Sequence, residues 1–137
     1  MKNQVYANNI PGISLPVPAG TKSGDPVKVG SLVGVAATDR AVAMSTPPTA
    51  DQVAANSSGN PDGYASVLTD GAYVLTVSGA ITGPGMPVYV TGTGPFTLSI
   101  TNGGSDTVFG YTVPGPDNKY ATKAAGDGPA VVRVAQV

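Results

Sequence analysis

A chain of 137 residues with a net charge of −1, no histidine and no cysteine is sized for one domain and lacks the side chains of most enzyme mechanisms. Absent cysteine removes disulfides, thiolate nucleophiles and sulfur metal sites, and absent histidine removes the commonest general base and metal ligand. The seven Lys and Arg form no basic stripe for nucleic-acid phosphates, and no apolar run approaches the roughly 20 residues that span a bilayer.

Residues 1–15 hold no continuous apolar stretch like that of a signal peptide, so synthesis in the cytoplasm is expected. The apolar residues are mostly Val and Ala, with few large side chains. A core of such pieces buries little area per residue, at about 25 cal/mol per Å², so association with further surface would add stability. The excess of β-branched Val and Thr favours strands, and 19 Gly and 13 Pro punctuate them with turns.

Along the chain, residues 1–20 intersperse Val5, Tyr6, Ile10, Ile13 and Leu15 with Pro11, Pro16 and Pro18. Proline fixes φ and lacks an N–H, so the expectation is an extended N-terminal arm leading into a single β domain over residues 21–137. Pro26-Val27-Lys28-Val29, Gly30-Ser31 and Leu32-Val33-Gly34-Val35-Ala36 predict a hairpin with a type II′-like turn. Residues 40–45 read as a short strand through Val42 and Met44. Residues 46–63 then form a long surface loop, in which residues 49–55 allow one helical turn with Asp51 near its start.

Tyr64–Leu68 and Ala72–Ser78 read as strands joined at Thr69-Asp70-Gly71, with Tyr73, Leu75 and Val77 on one face by the period of two. Further strands are predicted over Pro87–Thr91, residues 96–101 and residues 107–113, and a last one over residues 130–137 after a polar loop bearing Pro114, Pro116 and Pro129. The fold class is therefore all-β, a single compact antiparallel β-barrel or β-sandwich of about eight to nine short strands.

Candidate chemistry is sparse. The eight acids are all Asp, and Asp25, Asp62, Asp70, Asp106, Asp117 and Asp127 lie beside Gly, Pro, Ser or Asn, where a short carboxylate stabilises turns. Paired carboxylates for glycoside hydrolysis are thus a minor reading. Gly20-Thr21-Lys22-Ser23 lacks the upstream glycine of a phosphate loop. Asn60-Pro61-Asp62-Gly63 lacks the downstream Glu of a calcium loop, and Asn56-Ser57-Ser58 matches a glycosylation acceptor by composition alone. No catalytic residue, metal site or cofactor is expected, nor any small-molecule substrate. Among the six tyrosines, Tyr73, Tyr89 and Tyr111 sit in apolar strands and predict core packing, whereas Tyr6, Tyr64 and Tyr120 lie near irregular segments and are interface candidates.

The run Pro18-Ala19-Gly20-Thr21-Lys22-Ser23-Gly24-Asp25-Pro26-Val27-Lys28-Val29-Gly30-Ser31-Leu32-Val33-Gly34-Val35-Ala36 resembles the start of the tailed-bacteriophage head decoration proteins, or capsid cement proteins, formerly a domain of unknown function. Ser66-Val67-Leu68, Gly71-Ala72-Tyr73-Val74-Leu75, Gly85-Met86-Pro87-Val88-Tyr89-Val90, Phe109-Gly110-Tyr111 and Ala130-Val131-Val132-Arg133-Val134 follow in the same order. The resemblance spans most of residues 18–134, and the departures are the loops at residues 47–63 and 113–129.

The resemblance implies a structural virion protein on the outer face of the phage head, stabilising it by bridging major capsid subunits. A homotrimer is the favoured assembly, since three linked arms raise avidity. Val5, Tyr6, Ile10, Ile13 and Leu15 are then the expected capsid-binding residues of the arm, with Tyr64 and Tyr120 as further interface. The alternative from another class is a receptor- or carbohydrate-binding β-domain of a phage fibre or adhesin, using exposed tyrosines and the long loops.

Overall fold

The computed structural model describes residues 12–56, 59–104 and 106–135. Among them nine strands form: β1 (Ile13–Pro16), β2 (Pro26–Val29), β3 (Leu32–Ala36), β4 (Tyr64–Leu68), β5 (Ala72–Ser78), β6 (Pro87–Thr91), β7 (Thr97–Ser99), β8 (Thr107–Thr112) and β9 (Asp127–Val134). A short helix, α1 (Ala50–Ala55), and a 3-10 turn at Pro116–Asn118 complete the elements. The fold is all-β, in two sheets. β1-β4-β3-β2 form a four-stranded antiparallel sheet, and β5-β7-β6-β8-β9 close into a barrel. The barrel is antiparallel except at its seam, where β5 and β7 run parallel and pair only at Ser78↔Ser99.

The alternation that marks these strands in the sequence sorts their side chains between faces. In β5, Leu75 and Val77 point inward while Val74 and Thr76 face out. In β6, Val88 and Val90 are buried, and Ala130, Val132 and Val134 of β9 meet them with Leu98 and Phe109. Val33 and Val35 of β3 join this cluster, so the sheet packs on the barrel through one face of its central strand. On the opposite face Ala36, Val27, Ala65 and Val67 make a second, smaller cluster with Val17, and Phe96 touches both. Gly34 permits the β3–β4 approach, because a Cβ there would lie 2.5 Å from the Leu68 carbonyl oxygen. The hairpin turn forms as expected, with Gly30 at φ +62°.

A bulge changes the phase of β8. Val88 of β6 pairs with Gly110 but the next residue, Tyr89, pairs with Val108, so Phe109 is the extra residue of β8. Strict alternation would put Phe109 and Tyr111 on one face. The bulge turns Phe109 into the barrel, fully buried, and leaves Tyr111 facing out with 47% of its surface exposed. Tyr111 is therefore not a core residue. Gly110 fits the crowded position between them, where a Cβ would meet the Arg133 carbonyl oxygen at 2.0 Å.

Three other expectations are corrected. The arm predicted over residues 1–20 is already part of the sheet at β1, whose Ile13 pairs with Val67 and Leu15 with Ala65, and Val17 beyond it is buried. Pro16 is tolerated because β1 is an edge strand. Residues 40–45 are not a strand: the N–H of Val42 donates to Asn56 Oδ1 at 2.8 Å and its carbonyl accepts from Asn56 Nδ2 at 2.6 Å, so a side-chain amide takes the place of a ladder partner. Pro129 lies inside β9 rather than in the loop before it, paired with Thr76. Its nitrogen points away from β5, towards the β8 side, where pairing ends at the bond from Val113 N–H to the Val131 carbonyl.

Candidate protein-binding surface

One cross-strand row runs over the outside of the barrel as Ala72–Arg133–Tyr111–Pro87, joining β5, β9, β8 and β6. In the next row Val74 pairs with Val131. Val74 is 57% exposed, which is unusual for a branched aliphatic side chain, while Val131 beside it is buried. The cover over Val131 is the loop that follows β8. Gly115 sits so close that a Cβ would lie 3.2 Å from Val131 Cγ2 and 2.8 Å from the Lys119 carbonyl oxygen.

That loop is wound tightly. Asp117, Asn118 and Tyr120 all have φ near +57°, a left-handed conformation that Asp and Asn tolerate but that costs a bulky residue about 1–2 kcal/mol. Bonds from Gly115 N–H to Lys119 O (2.9 Å), Lys119 N–H to Pro116 O (3.1 Å) and Ala121 N–H to Asn118 O (3.3 Å) hold it. The outcome is a fixed display: Tyr120 is 37% exposed, with the Lys119 ammonium 5.8 Å from its ring centroid. The wall thus presents Val74 and Tyr111 among Ala72, Pro87 and Arg133, and the loop over Val131 presents Tyr120 with Lys119. Aromatic and arginine side chains of this kind dominate the centres of protein interfaces.

A second exposed apolar pair, Met44 and Val53, lies on the excursion at residues 46–63 and its approach. The excursion is pinned at several points. Thr49 and Gln52 make a capping box at the start of α1, Gln52 Oε1 also accepts from Ser45 N–H and Oγ, and Asn60 Nδ2 donates to Thr38 Oγ1 and Ser66 Oγ.

Of the residues singled out in the sequence, Ile13 and Leu15 are half-buried in β1, and Leu15 packs on the smaller cluster. Val5, Tyr6 and Ile10 lie outside the described residues. Tyr64 is half-buried at the head of β4, its N–H on the Pro61 carbonyl and its own carbonyl accepting from Ala41. Of the two described interface tyrosines, only Tyr120 is displayed. Tyr111, expected in the core, is displayed instead, and Val74 and Arg133 are displayed without having been expected at an interface. Tyr111 would have required recognising the bulge, and Val74 is visible as the residue out of phase with Leu75.

The carboxylates act as turn braces. Asp25 Oδ2 accepts from Lys22 N–H (2.9 Å), Asp70 Oδ1 from Gly71 N–H (2.7 Å) and Asp106 Oδ2 from Gly103 N–H (2.7 Å). Lys22 lies 3.8 Å from Asp39. Thr21 Oγ1 donates to the Pro18 carbonyl, so the segment that faintly matches a phosphate loop is folded on itself. Among the described residues no three His, Cys, Asp or Glu converge on a metal-sized site, and no helix is long and apolar enough to cross a membrane. Tyr73 has its hydroxyl on the Asp70 carbonyl at 2.5 Å. Burial, and after it the charge of Asp70, raises this phenol above its ordinary range.

Comparison with known proteins adds no neighbour: no family model, curated protein or solved structure matches the chain.

Proposed function

We propose that this chain is a structural virion protein that binds the outer surface of a bacteriophage head and stabilises it by bridging major capsid subunits. The observation that carries the binding reading is the barrel's outer wall, where Val74 and Tyr111 stand exposed beside Arg133 and the strained loop holds Tyr120 next to Lys119. The bacteriophage assignment is supported by the ordered resemblance over residues 18–134.

The wall is a rigid apolar patch on paired strands, so little ordering entropy opposes its docking. Val5, Tyr6 and Ile10 add contacts to capsid from the segment that leads into β1. In a homotrimer three such segments act together, and linked sites raise avidity by about 10² to 10⁴. The proposal gives the chain no catalytic, cofactor or metal role.

The test is re-addition of purified protein to heads that lack it, with occupancy measured by sedimentation. Val74→Asp with Tyr111→Asp is expected to bind at least about 100-fold more weakly, since two interface anchors are each worth about 2 kcal/mol or more. Deleting residues 1–11, which spares β1, is expected to weaken binding as well. Undiminished occupancy by both variants, or affinity for a glycan array without affinity for heads, would overturn the proposal, the second result in favour of the fibre or adhesin reading.

A further inference from the structure

We propose that the cleft at the barrel seam receives an extended peptide carrying a lysine or arginine, laid along β5 as an added strand. On one side β5 pairs with β9 along its whole length, Ala72 to Ser78. On the other it meets β7 at Ser78↔Ser99 alone, and from that point the two parallel strands splay apart towards their N-terminal ends. The opening is a cleft of about 600 Å³, lined by Val74 and Thr76 of β5, Phe96 and Leu98 on the β7 side, and Asp25 and Asp127 at its rim.

The backbone of β5 is oriented for such a guest. The Ser78 carbonyl accepts from Ile100 N–H on the β7 side, whereas the Gly71 carbonyl accepts from Val134 N–H on the β9 side. Strand groups alternate direction with a period of two, so the N–H and C=O of Val74 and Thr76 point into the cleft beyond the reach of β7. An open strand edge of this kind is a template for an incoming strand.

Charge selects the guest. The rim carries two carboxylates, and among the described residues no Lys or Arg lines the cleft. Of the nearby lysines, Lys22 pairs with Asp39, the Lys123 ammonium donates to the carbonyls of Ala124 and Gly126, and Lys28, two residues from Pro26 on β2, is not among the residues that line the cleft. A cationic segment is therefore favoured over an acidic one or a nucleic acid. The cleft shares Val74 with the outer wall, but this inference rests on the open backbone of β5 and the two rim carboxylates, so its test is separate from that of the capsid reading.

The test uses the full chain, isotope-labelled, and two acetylated, amidated hexapeptides, Lys-Val-Thr-Val-Thr-Lys and Glu-Val-Thr-Val-Thr-Glu. In the free protein the amides of Val74 and Thr76 are expected to exchange at least about 100-fold faster than those of Tyr73, Leu75 and Val77, which face β9. The lysine peptide is expected to slow the exchange of Val74 and Thr76 and to bind at least about tenfold more tightly than the glutamate peptide. Asp25→Asn with Asp127→Asn is expected to remove that preference, and Asp127→Asn alone, at an exposed position, to reduce it should the double variant fold poorly. Protection of Val74 and Thr76 in the free chain would show the edge already covered and overturn the proposal. So would equal binding of the two peptides, or resonance shifts confined to the Tyr111 wall.

Discussion

The bulge in β8 makes a sharp prediction about two aromatic residues two positions apart. Phe109 is fully buried in the barrel core, so Phe109→Ala removes its contacts and leaves a cavity, at a cost of about 3–5 kcal/mol. Tyr111 is 47% exposed on the outer wall, and Tyr111→Ala is expected to cost under about 1 kcal/mol. For a chain of this length about 1 kcal/mol corresponds to roughly 3–5 °C in Tm. Phe109→Ala should therefore melt about 10–20 °C below the parent, and Tyr111→Ala within about 4 °C of it. Urea unfolding followed by circular dichroism supplies the free energies, with an unchanged m-value showing that both variants unfold from the same compact state. A Tyr111→Ala loss as large as that of Phe109→Ala would place both rings on one face and refute the bulge.

Two further predictions concern the polar braces. Asn56→Ala removes both bonds to the Val42 backbone, each worth about 1 kcal/mol; amide exchange at Val42 should quicken at least about tenfold, and an unchanged rate would mean the excursion is anchored elsewhere. Tyr73 titrates above its ordinary value because of burial and then Asp70, so the folded state holds the phenolic proton more tightly than the unfolded state. Its contribution is complete below the unfolded pKa of about 10 and is lost as pH rises through the higher folded value. Tm should decline above about pH 10, and less steeply in Tyr73→Phe; equal slopes in the two proteins would contradict this assignment.

Much of the fold is legible in local pattern. The hairpin around Gly30-Ser31, the alternation of Tyr64–Leu68 and Ala72–Ser78, and the helical turn capped by Thr49 need only nearest neighbours in sequence, and they form where the residues indicate. What is not legible depends on partners distant in sequence. Pro16 marks an irregular arm until β4 is present to pair with β1 on its one occupied side. Pro129 marks a loop until the ladder shows that its missing N–H faces a side where pairing has ended. Val42 and Met44 suggest a strand, but Asn56, 14 residues on, satisfies the backbone of Val42.

The candidate surface likewise depends on partners distant in sequence. Residue type makes Tyr120 an interface candidate, and its display rests on a loop conformation with three left-handed non-glycine residues in four positions. Alternation puts Tyr111 on the face of Phe109, and only the bulge, with Phe109 as its extra residue, sends the two rings to opposite sides. Arg133 joins Tyr111 only through the β8–β9 register.

The central claim is that this barrel sits on a phage head through its outer wall. Cryo-electron microscopy of the intact virion at side-chain resolution tests it most directly. The account predicts barrel-shaped density on the outer face of the shell, in contact with more than one major capsid subunit, with Val74, Tyr111 and Tyr120 buried against a neighbour. Heads whose outer face lacks that density, or density in which these three side chains point into solvent, would contradict it.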